Sequence, residues 1–412
     1  MDADLIPTSW EKRGNIITVV GVGGGGNNAV SYMYKLGLKD VDFVVCNTDT
    51  QALQNSSVPV KLQIGPILTK GLGAGTDYTV GRQAAEESLE EIGKLFEGDT
   101  QMVFVTCGMG GGTGTGAAPL VAKTAKEQGK LTVGVVTVPF RDEGKESLYR
   151  AVEGIKELSK HVDSLLVIDN QKLYQLYGKM NIFTAFHKAD EVLATAVKSI
   201  AEIITSSGYI NVDFADVKKV MKNSGVAIMG IGEAEGEDRA TKAVEQALSS
   251  PLLNDLNLRS VKNALINITG SADDEHGISM EELSQIMDFT AQYTGATINF
   301  KRGIVVDESM GDKISVTIIA TGFEMWQLPV IDESEVNRGN RIEVKYERDL
   351  FRKRKKGRPL APDNGKLLNK QRVSGIPALI VEEVRLIKDL EEEPALVRRE
   401  RMLNTKETPA SE

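Results

Sequence analysis

Short apolar runs alternate with longer stretches of helical periodicity over residues 15 to about 140. The runs that predict buried β-strands, each bounded by Gly, Asn, Asp or Pro, are Ile16–Val20, Phe43–Cys46, Met102–Cys107 and Leu131–Val138. The stretches that predict helices are Asn28–Leu36, Gly81–Phe96 and Ala117–Gln128. Because strands that alternate with helices usually pair in parallel beneath those helices, this region predicts an α/β fold built on a parallel sheet.

The pattern changes in the second half of the chain. Leu165–Ile168 predicts another strand, and Ile182–Thr205, with apolar residues at helical spacing, is the longest predicted helix. From about Val226 a second block follows, in which the predicted strands are Ala264–Thr269, Ala296–Phe300 and Lys313–Ala320 and the predicted helix is Ser279–Phe289. The pattern therefore predicts a smaller α+β domain, joined to the first through the long helix.

The composition after Gly322 shifts to segregated charge. Arg348–Arg358 holds seven basic residues and one acid, and Glu382–Glu393 is strongly acidic. Such blocks are typical of flexible segments, so we expect a flexible C-terminal tail. The basic block could instead touch anionic lipid or nucleic acid, or bundle acidic filaments.

Composition narrows the class of protein. A chain of 412 residues predicts two or three domains, and 41% hydrophobic with 26% charged residues is ordinary for a globular protein. No apolar run reaches the roughly 18 residues of a membrane span, and the N-terminus lacks the basic region of a secretory signal. Two cysteines, Cys46 and Cys107, exclude a disulfide framework and fit a reducing cytosol. The net charge of −9 argues against a dedicated nucleic-acid binder.

The first glycine loop, Gly21–Asn28 (GVGGGGNN), lies between a predicted strand and a predicted helix. Glycines let the backbone approach a phosphate, and the helix N-terminus then offers N–H groups and a positive dipole end. The loop also matches a dinucleotide-binding fingerprint, with Asp42 or Asp49 as the carboxylate for the ribose. A tight strand–helix turn, with Asn28 near the helix cap, is the purely structural alternative.

The second glycine loop, Gly108–Gly116 (GMGGGTGTG), is more specific. Six glycines in nine residues cost conformational entropy, and two threonine hydroxyls among backbone amides suit a phosphate site. Neither loop ends in the Gly-Lys-Ser/Thr of a Walker motif. We therefore expect backbone amides, helix dipoles and a Mg²⁺ ion to offset the phosphate charge.

A third glycine-rich stretch, Gly71–Gly75, lies between these two loops, and three such loops suit a nucleoside triphosphate better than a dinucleotide. Gly108–Pro119 (GMGGGTGTGAAP) resembles the signature of the tubulin/FtsZ superfamily in its bacterial form. Further segments that resemble FtsZ motifs, in the expected order, are Asn47–Leu53 (NTDTQAL), Pro139–Gly144 (PFRDEG) and Asn211–Asp216 (NVDFAD). The resemblance runs from about Gly14 to Gly322, and by it the chain is identified as a member of the FtsZ family.

This resemblance implies a Rossmann-like domain that binds and hydrolyses GTP to GDP, with Mg²⁺ held mainly through phosphates and water. It also implies head-to-tail polymerisation into the protofilaments of the bacterial division ring, on the cytoplasmic face of the membrane at mid-cell. The residues expected along the nucleotide are Gly24, Gly25, Gly26, Asn27, Asn28 and Gly75, those expected around the phosphates are Gly110, Gly111, Gly112, Thr113 and Gly114, and those expected near the sugar or base are Glu143, Asn47 and Asn170.

Phe186 and Asp190 are four residues apart on the long predicted helix and so share one face. By the resemblance, Phe186 stacks on guanine and Asp190 accepts its N1–H and N2–H₂ donors, which adenine does not offer to a carboxylate. The alternative makes Phe186 a core residue and Asp190 a solvated acid.

Asn211, Asp213 and Asp216 are the predicted catalytic residues. By the resemblance, the acidic loop that contains them, Asn211–Asp216, reaches the γ-phosphate bound to the next subunit, where carboxylates polarise water or hold a cation. The spacing of Asp213 and Asp216 before Val217–Met221 also fits a simple helix cap with a charge in the first turn.

Two positions depart from the family pattern. Tyr32 and Ser147 stand where many FtsZ proteins carry arginine near the nucleotide, so Ser147 is the least secure of the transferred contacts. Lys145 or Arg150 could supply the missing charge.

The predicted domain organisation follows from these segments. The expected parts are an N-terminal extension at 1–14, a GTP-binding domain at 15–183, a central helix with the acidic loop at 184–224, a C-terminal domain at 225–322, a charged linker at 323–390 and a tail peptide at 391–412. Pro394–Arg399 within the tail resembles the FtsZ peptide that docks on membrane tethers such as FtsA, with Leu396 and Val397 as apolar anchors.

Two other functions remain open at this point. An NAD(P)-dependent oxidoreductase could be built on Gly21–Gly26, although the second glycine loop and the acidic pair argue against it. A nucleotide-gated filament with little turnover is the other alternative.

Overall fold

The computed structural model describes residues 15–177, 181–205, 213–250, 261, 263–273, 276–294, 299–323 and 328. All of them lie in the first of two compact units, Met1–Glu335; the second, Val336–Glu412, lies outside the described residues, and with it the predicted tail peptide. None of the helices within the described ranges is long and apolar enough to cross a membrane.

The described strands form one sheet in the order β3-β2-β1-β4-β5-β6-β7-β10-β8-β9. Their bounds are β1 Ile17–Val22, β2 Val41–Asn47, β3 Val60–Gln63, β4 Met102–Gly108, β5 Leu131–Val138, β6 Ser164–Asp169, β7 Gly225–Glu235, β8 Asn263–Gly270, β9 Asn299–Val306 and β10 Lys313–Phe323. Neighbouring strands from β3 to β7 are parallel, β10 runs antiparallel to both β7 and β8, and β9 is parallel to β8.

The helices connect these strands across both faces of the sheet. Their bounds are α1 Gly23–Lys35, α2 Thr50–Asn55, α3 Pro66–Thr69, α4 Tyr78–Glu87, α5 Leu89–Lys94, α6 Thr113–Glu127, α7 Lys145–Ser159, α8 Asn170–Tyr177, α9 Ile182–Thr205, α10 Phe214–Met221, α11 Arg239–Leu248 and α12 Met280–Thr294. Two short 3₁₀ turns are at Arg141–Glu143 and Glu308–Met310.

Strand alternation divides the core between the two faces. Val103 and Val105 of β4 pack with α6 and α7, whereas Met102 and Phe104 of the same strand pack with α1 and α9. Every residue of β5 is buried, as expected for a parallel strand covered on both sides. A third cluster, in the second half of the chain, joins α11 and α12 to β8 and β10.

The predicted strands and helices lie inside or across observed elements, and Leu131–Val138 and Ile182–Thr205 match in both bounds. The predicted helix Gly81–Phe96 is wrong as a single element, because it breaks at Ser88 between α4 and α5. The Ser88 hydroxyl accepts a 3.0 Å hydrogen bond from Gly65 N and is buried there. Ala296–Phe300 overlaps only the start of β9, and residues 296–298 lie outside the described part. The pattern did not predict β3, β7, α2, α3, α7, α8 or α11.

Candidate nucleotide site and acidic loop

The candidate site is built at one edge of the sheet, where the parallel strands end. β1 is followed by the first glycine loop, β2 by Thr48 and Asp49, β4 by the second glycine loop and β6 by Asn170. Since parallel strands present their carboxyl ends at the same edge, segments far apart in sequence converge there. Ligands of open α/β sheets bind in this position.

The two glycine loops touch through their backbones. A Cβ added to Gly23, whose φ is +72°, would lie 2.7 Å from Gly114 N, and one added to Gly26 would collide with the Thr106 carbonyl oxygen. A Cβ on Gly112 would lie 2.9 Å from the Ala74 side chain, so the third glycine-rich stretch, Gly71–Gly75, also packs against the second loop. Close packing alone therefore explains several of these glycines.

Gly24 and Gly111 are different. Both are exposed, neither has a positive φ, and a Cβ added to either meets no atom within 4 Å. Gly75 is also open, although its φ of +58° gives a separate conformational reason for glycine. Neither packing nor conformation accounts for glycine at Gly24 and Gly111, as expected where a ligand approaches the backbone.

Both helices that leave these loops begin without a side-chain cap. The residues at the cap positions, Val22 before α1 and Gly112 before α6, form no capping hydrogen bond through a side chain. Uncapped helix N-termini at adjacent loops provide backbone N–H donors and two positive dipole ends, which suits an anionic ligand.

Polar side chains fix the loops to each other. Thr48 and Thr113 share a hydrogen bond of 2.6 Å between their hydroxyls, and the Asn47 side-chain oxygen accepts from Thr48 N at 2.9 Å. The Asn27 amide, with its oxygen towards Asn47 Nδ2 at 3.2 Å, donates to the carbonyls of Gly21 and Gly23 at 3.0 Å each. Asn27, Asn47 and Thr113 thus hold the site together, while Asn28 is exposed beside them.

The segment after β5 supports the second glycine loop. Ser147 is buried against Gly110, where a Cβ would lie 2.5 Å from the Ser147 hydroxyl oxygen. The Arg150 Nε donates a 2.8 Å hydrogen bond to the Gly110 carbonyl, so a cation does reach this loop. Glu143 is exposed, and one of its carboxylate oxygens accepts from Phe140 N at 2.9 Å. Lys145 is exposed at the start of α7.

The predicted base-recognition residues lie around the start of α9. Burial raises the pKa of Asp190 to about 6, and the nearby His187 opposes the shift. Asn170 is buried, and its Oδ1 atom has no hydrogen-bond partner among the described residues. Phe186 belongs to α9, but its side chain is outside the described part. Tyr32 of α1 lies near this helix: burial raises its pKa, and the charges of Glu191 and Asp190 add to the shift.

The acidic loop is described from Asp213 onwards, and Asn211 lies outside the described residues. Asp213 caps α10: its Oδ1 accepts from Asp216 N at 2.8 Å. Asp216 has a different partner, because its Oδ1 lies 2.6 Å from Lys301 Nζ on β9. The capping interpretation is therefore confirmed for Asp213 and does not account for the Asp216 carboxylate.

The glycine loops and the acidic loop lie at opposite edges of the sheet, the former at the carboxyl ends of the parallel strands and the latter at their amino ends. The loops follow the last residues of β1 and β4, whereas α10 immediately precedes β7, whose first residue, Gly225, pairs with Ser164 at the start of β6. β8 and β9 run in the same direction as β7, and Lys301 is the third residue of β9. The 24 residues of α9, about 36 Å of helix, connect the two edges.

Sequence reasoning missed two residues that organise these sites, Thr48 and Lys301. Thr48 lay within a recognised motif but carried no separate signal. Arg150 had been named as a possible substitute charge, and it does contact the second glycine loop. Lys301 gave no local signal, because its contact with Asp216 joins residues far apart in the chain.

The dinucleotide-binding alternative requires a carboxylate for the ribose, and its candidates were Asp42 and Asp49. Asp42, near the start of β2, accepts from the Asn15 side chain at 3.1 Å, at the edge away from the glycine loops. Asp49 caps α2 by accepting from Gln51 N and Ala52 N at 2.8 and 3.1 Å. Asp42 therefore lies away from the first loop, whereas Asp49 follows β2 at the same edge as the glycine loops and already serves there as the cap of α2.

Comparison with known proteins identifies the family. A model of the Tubulin/FtsZ family GTPase domain matches residues 16–178, and a model of the FtsZ family C-terminal domain matches residues 225–324. The cell division protein FtsZ of Pseudomonas aeruginosa is 50% identical over 308 residues, which span 74% of this chain and 77% of that protein. FtsZ of Coxiella burnetii is 48% identical over 307 residues, 74% of this chain and 78% of its own length.

Solved structures of FtsZ and CetZ proteins share the fold of this chain. An empty FtsZ dimer from M. jannaschii superposes with a TM-score of 0.71 at 44% identity, covering 75% of this chain and 88% of that one. CetZ2 from Haloferax volcanii, solved as a GTPγS-bound protofilament, has a TM-score of 0.66 over 79% of this chain and 99% of its own. At 20% identity it shows the shared fold alone. The chain therefore belongs to the FtsZ family of tubulin-like, guanine-nucleotide-binding cell division GTPases.

Proposed function

We propose that this chain polymerises head to tail and hydrolyses GTP at sites shared between neighbouring subunits. The glycine loops of one subunit bind the nucleotide, and the acidic loop of the next subunit completes the site. The observation that carries the proposal is the placement of the glycine loops and the Asp213–Asp216 pair at opposite edges of one sheet. A head-to-tail contact between copies brings such opposite edges together, whereas folding of one chain does not.

The nucleotide end of the site uses the backbone more than charged side chains. Gly24 and Gly111 leave room for phosphate oxygens to approach, and the N-termini of α1 and α6 supply N–H donors. Gly25, Gly26, Asn27, Gly110, Gly112 and Gly114 shape the loops, and Glu143, Ser147, Asn47, Asn170, Asn28 and Gly75 complete the proposed nucleotide contacts. Phe186 stacks on guanine and Asp190 accepts its donors in this proposal.

Mg²⁺ accompanies the triphosphate in this proposal. The glycine loops contain no lysine, and the Thr113 hydroxyl is already bonded to Thr48. When bound, the ion would take its ligands mainly from the phosphates and water, and it would offset phosphate charge. Asp213 and Asp216 orient the attacking water from the other side, and Asn211 is the third proposed catalytic residue.

The cellular setting is also a proposal. Filaments of this chain form the division ring on the cytoplasmic face of the membrane, and Pro394–Arg399 docks on a tether such as FtsA. The domain bounds 15–183, 184–224 and 225–322, with the linker at 323–390, fit this arrangement of a filament-forming body and a tethering tail.

A mixing experiment tests the shared site. Asp216→Ala removes the acid, and Gly111→Arg fills the open space beside the phosphate loop. Each variant alone should hydrolyse little GTP, while a 1:1 mixture should recover about a quarter of wild-type activity, since one junction in four then joins an intact loop to an intact acid. The double variant, Gly111→Arg with Asp216→Ala in one chain, is the matched control and should recover nothing when mixed with either single variant.

Two results would contradict the proposal. Normal turnover by Asp216→Ala filaments would show that Asp216 is not a catalytic residue and that another group orients the attacking water. A mixture that stays inactive, although both variants fold and Asp216→Ala binds GTP, would show that the site is not shared. Filaments of the wild-type chain that release no phosphate would instead support the nucleotide-gated scaffold.

A further inference from the structure

Lys301 and Asp216 form the contact on which this inference rests. Lys301 Nζ lies 2.6 Å from Asp216 Oδ1, and the two side chains are 35% and 37% exposed. Lys301 comes from β9, at the end of the sheet order, and Asp216 from the first turn of α10. The contact therefore links the acidic loop to the C-terminal part of the fold rather than to its own helix.

The position of Asp216 is fixed from two sides. Its backbone N–H donates to the Asp213 side chain at 2.8 Å, and its carboxylate is bound by Lys301 through Oδ1. Within the described part of the chain no contact to Oδ2 is present, so this oxygen is available to a water molecule while the lysine sets the direction of the carboxylate. A carboxylate that must orient water gains from such a constraint, because small displacements of a reacting group cost large factors in rate.

Charge gives a second reason for a lysine here. The proposed function, on which this inference rests, brings two carboxylates towards a triphosphate of the next subunit. Like charges that approach in a partly desolvated junction repel, and the repulsion grows as water is excluded. One ammonium group 2.6 Å from Asp216 offsets part of that repulsion at the point of closest approach.

We propose that Lys301 is a positioning residue for GTP hydrolysis, which holds and orients the Asp216 carboxylate on the face that meets the next subunit's γ-phosphate. Lys301 acts through Asp216 and not on its own nucleotide pocket. It adds to the reaction a residue that lies outside the acidic loop and outside the glycine loops.

The test compares Lys301→Met, which keeps the length of the side chain and removes its charge, with Lys301→Arg, which restores a cation. Arg302→Met is the matched control, because Arg302 is the next residue of β9, is exposed, and forms no ion pair with any described residue. Full-length protein is used, and the readouts are the Kd for GTP, the mass of polymer and the turnover per polymerised subunit.

We expect Lys301→Met to lower turnover per polymerised subunit by at least about tenfold with an unchanged Kd for GTP. Lys301→Arg should recover most of that loss, and Arg302→Met should behave as the wild type. In an Asp216→Asn background Lys301→Met should add no further loss, because the residue it positions is already gone.

A variant that assembles poorly is tested by dilution into wild-type filaments. Turnover per polymerised subunit should then fall in proportion to the incorporated Lys301→Met fraction, since each variant subunit disables the one site that it completes. Turnover that stays constant per polymerised subunit would overturn the inference and assign the lysine to assembly.

The remaining outcomes separate this inference from the proposed function. An inactive Asp216→Asn with a fully active Lys301→Met would overturn the role of Lys301 and leave the shared site standing. Full activity of Asp216→Asn would contradict the catalytic assignment itself. An equal loss from Lys301→Met with and without Asp216 would show that the lysine does not act through that residue.

Discussion

Arg150 of α7 donates a 2.8 Å hydrogen bond from Nε to the carbonyl oxygen of Gly110, in the second glycine loop. Ser147, one turn earlier on the same helix, packs against the same glycine. A short buried side chain and a longer cation three residues later therefore act on one point of the loop. The guanidinium therefore holds the loop backbone by a charge-assisted hydrogen bond.

The first prediction concerns this support. Arg150→Met removes a charged hydrogen bond to a buried carbonyl, a loss of about 1.5–3 kcal/mol, and should weaken GTP binding about tenfold or more through disorder of the loop. Lys145→Met, on the exposed start of the same helix, should leave the affinity unchanged. Titration with a fluorescent GTP analogue measures both. Equal affinities for wild type and Arg150→Met would show that the loop does not need the bond.

The glycines of the two loops should separate into structural and ligand-facing groups. Gly26→Ala places a methyl group onto the Thr106 carbonyl and should lower the free energy of unfolding by about 1–3 kcal/mol or more. Gly111→Ala meets open space and should leave thermal unfolding unchanged while it weakens GTP binding. Wild-type GTP affinity in Gly111→Ala would mean that no ligand approaches this position.

Asp190 should make GTP binding depend on pH. Burial raises the pKa of its carboxyl from the ordinary 3.8 to about 6, while guanine donors require the ionised form. Below about pH 6 the Asp190 carboxyl is protonated and must lose its proton before it can accept the guanine donors. The affinity for GTP should therefore drop by up to about tenfold per pH unit. Asp190→Asn should abolish this step and narrow the preference for GTP over ATP, at a cost of about 1–3 kcal/mol. A pH profile that is the same in both proteins would exclude Asp190 from base recognition.

The same raised pKa predicts a stability effect without nucleotide. Because the pKa is higher in the folded state, protonation of Asp190 stabilises the folded chain relative to the unfolded one. This contribution to the free energy of unfolding is complete below about pH 4 and is lost as pH rises through about 6. Asp190→Asn should therefore stabilise the nucleotide-free chain at pH 8 by up to about 3 kcal/mol and by less at pH 5. Urea unfolding at the two pH values measures the difference. A larger gain at pH 5 would contradict the burial of the charge.

Asp213 allows capping and catalysis to be separated. Asn caps a helix about as well as Asp, whereas Ala loses the bond to Asp216 N and about 1 kcal/mol of stability. If Asp213 also acts on water or a cation, Asp213→Asn should lose most turnover with normal stability. Hydrolysis that is retained in Asp213→Asn and reduced only in Asp213→Ala would limit this residue to capping.

The sequence pattern was sufficient where one local signal decided the structure. Leu131–Val138 is mostly apolar because both faces of β5 are covered, and Ile182–Thr205 keeps helical spacing from end to end. The helix break at Ser88 could not be predicted in this way, because its cause is a hydrogen bond to Gly65. Both pieces have good helical periodicity, and only the tertiary partner separates them.

The site shows the same limit. The glycine loops and the acidic pair were predicted because their residues stand close together in sequence. Which glycines pack and which face open space depends on contacts such as Gly23 with Gly114, made between loops. The ion pair of Lys301 with Asp216 joins a strand to a helix with no pattern that relates them. Sequence therefore indicated the chemistry, while the partners that orient it required the fold.

The shared site is tested most directly by the dependence of GTP hydrolysis on protein concentration. The glycine loops and the acidic loop lie at opposite edges of each subunit. Under the proposed function, an isolated subunit therefore holds only half of each site. Specific activity should be negligible below a threshold concentration, rise above it, and follow the appearance of polymer in parallel sedimentation. A specific activity that stays constant on dilution well below that threshold would contradict a site completed by the neighbouring subunit.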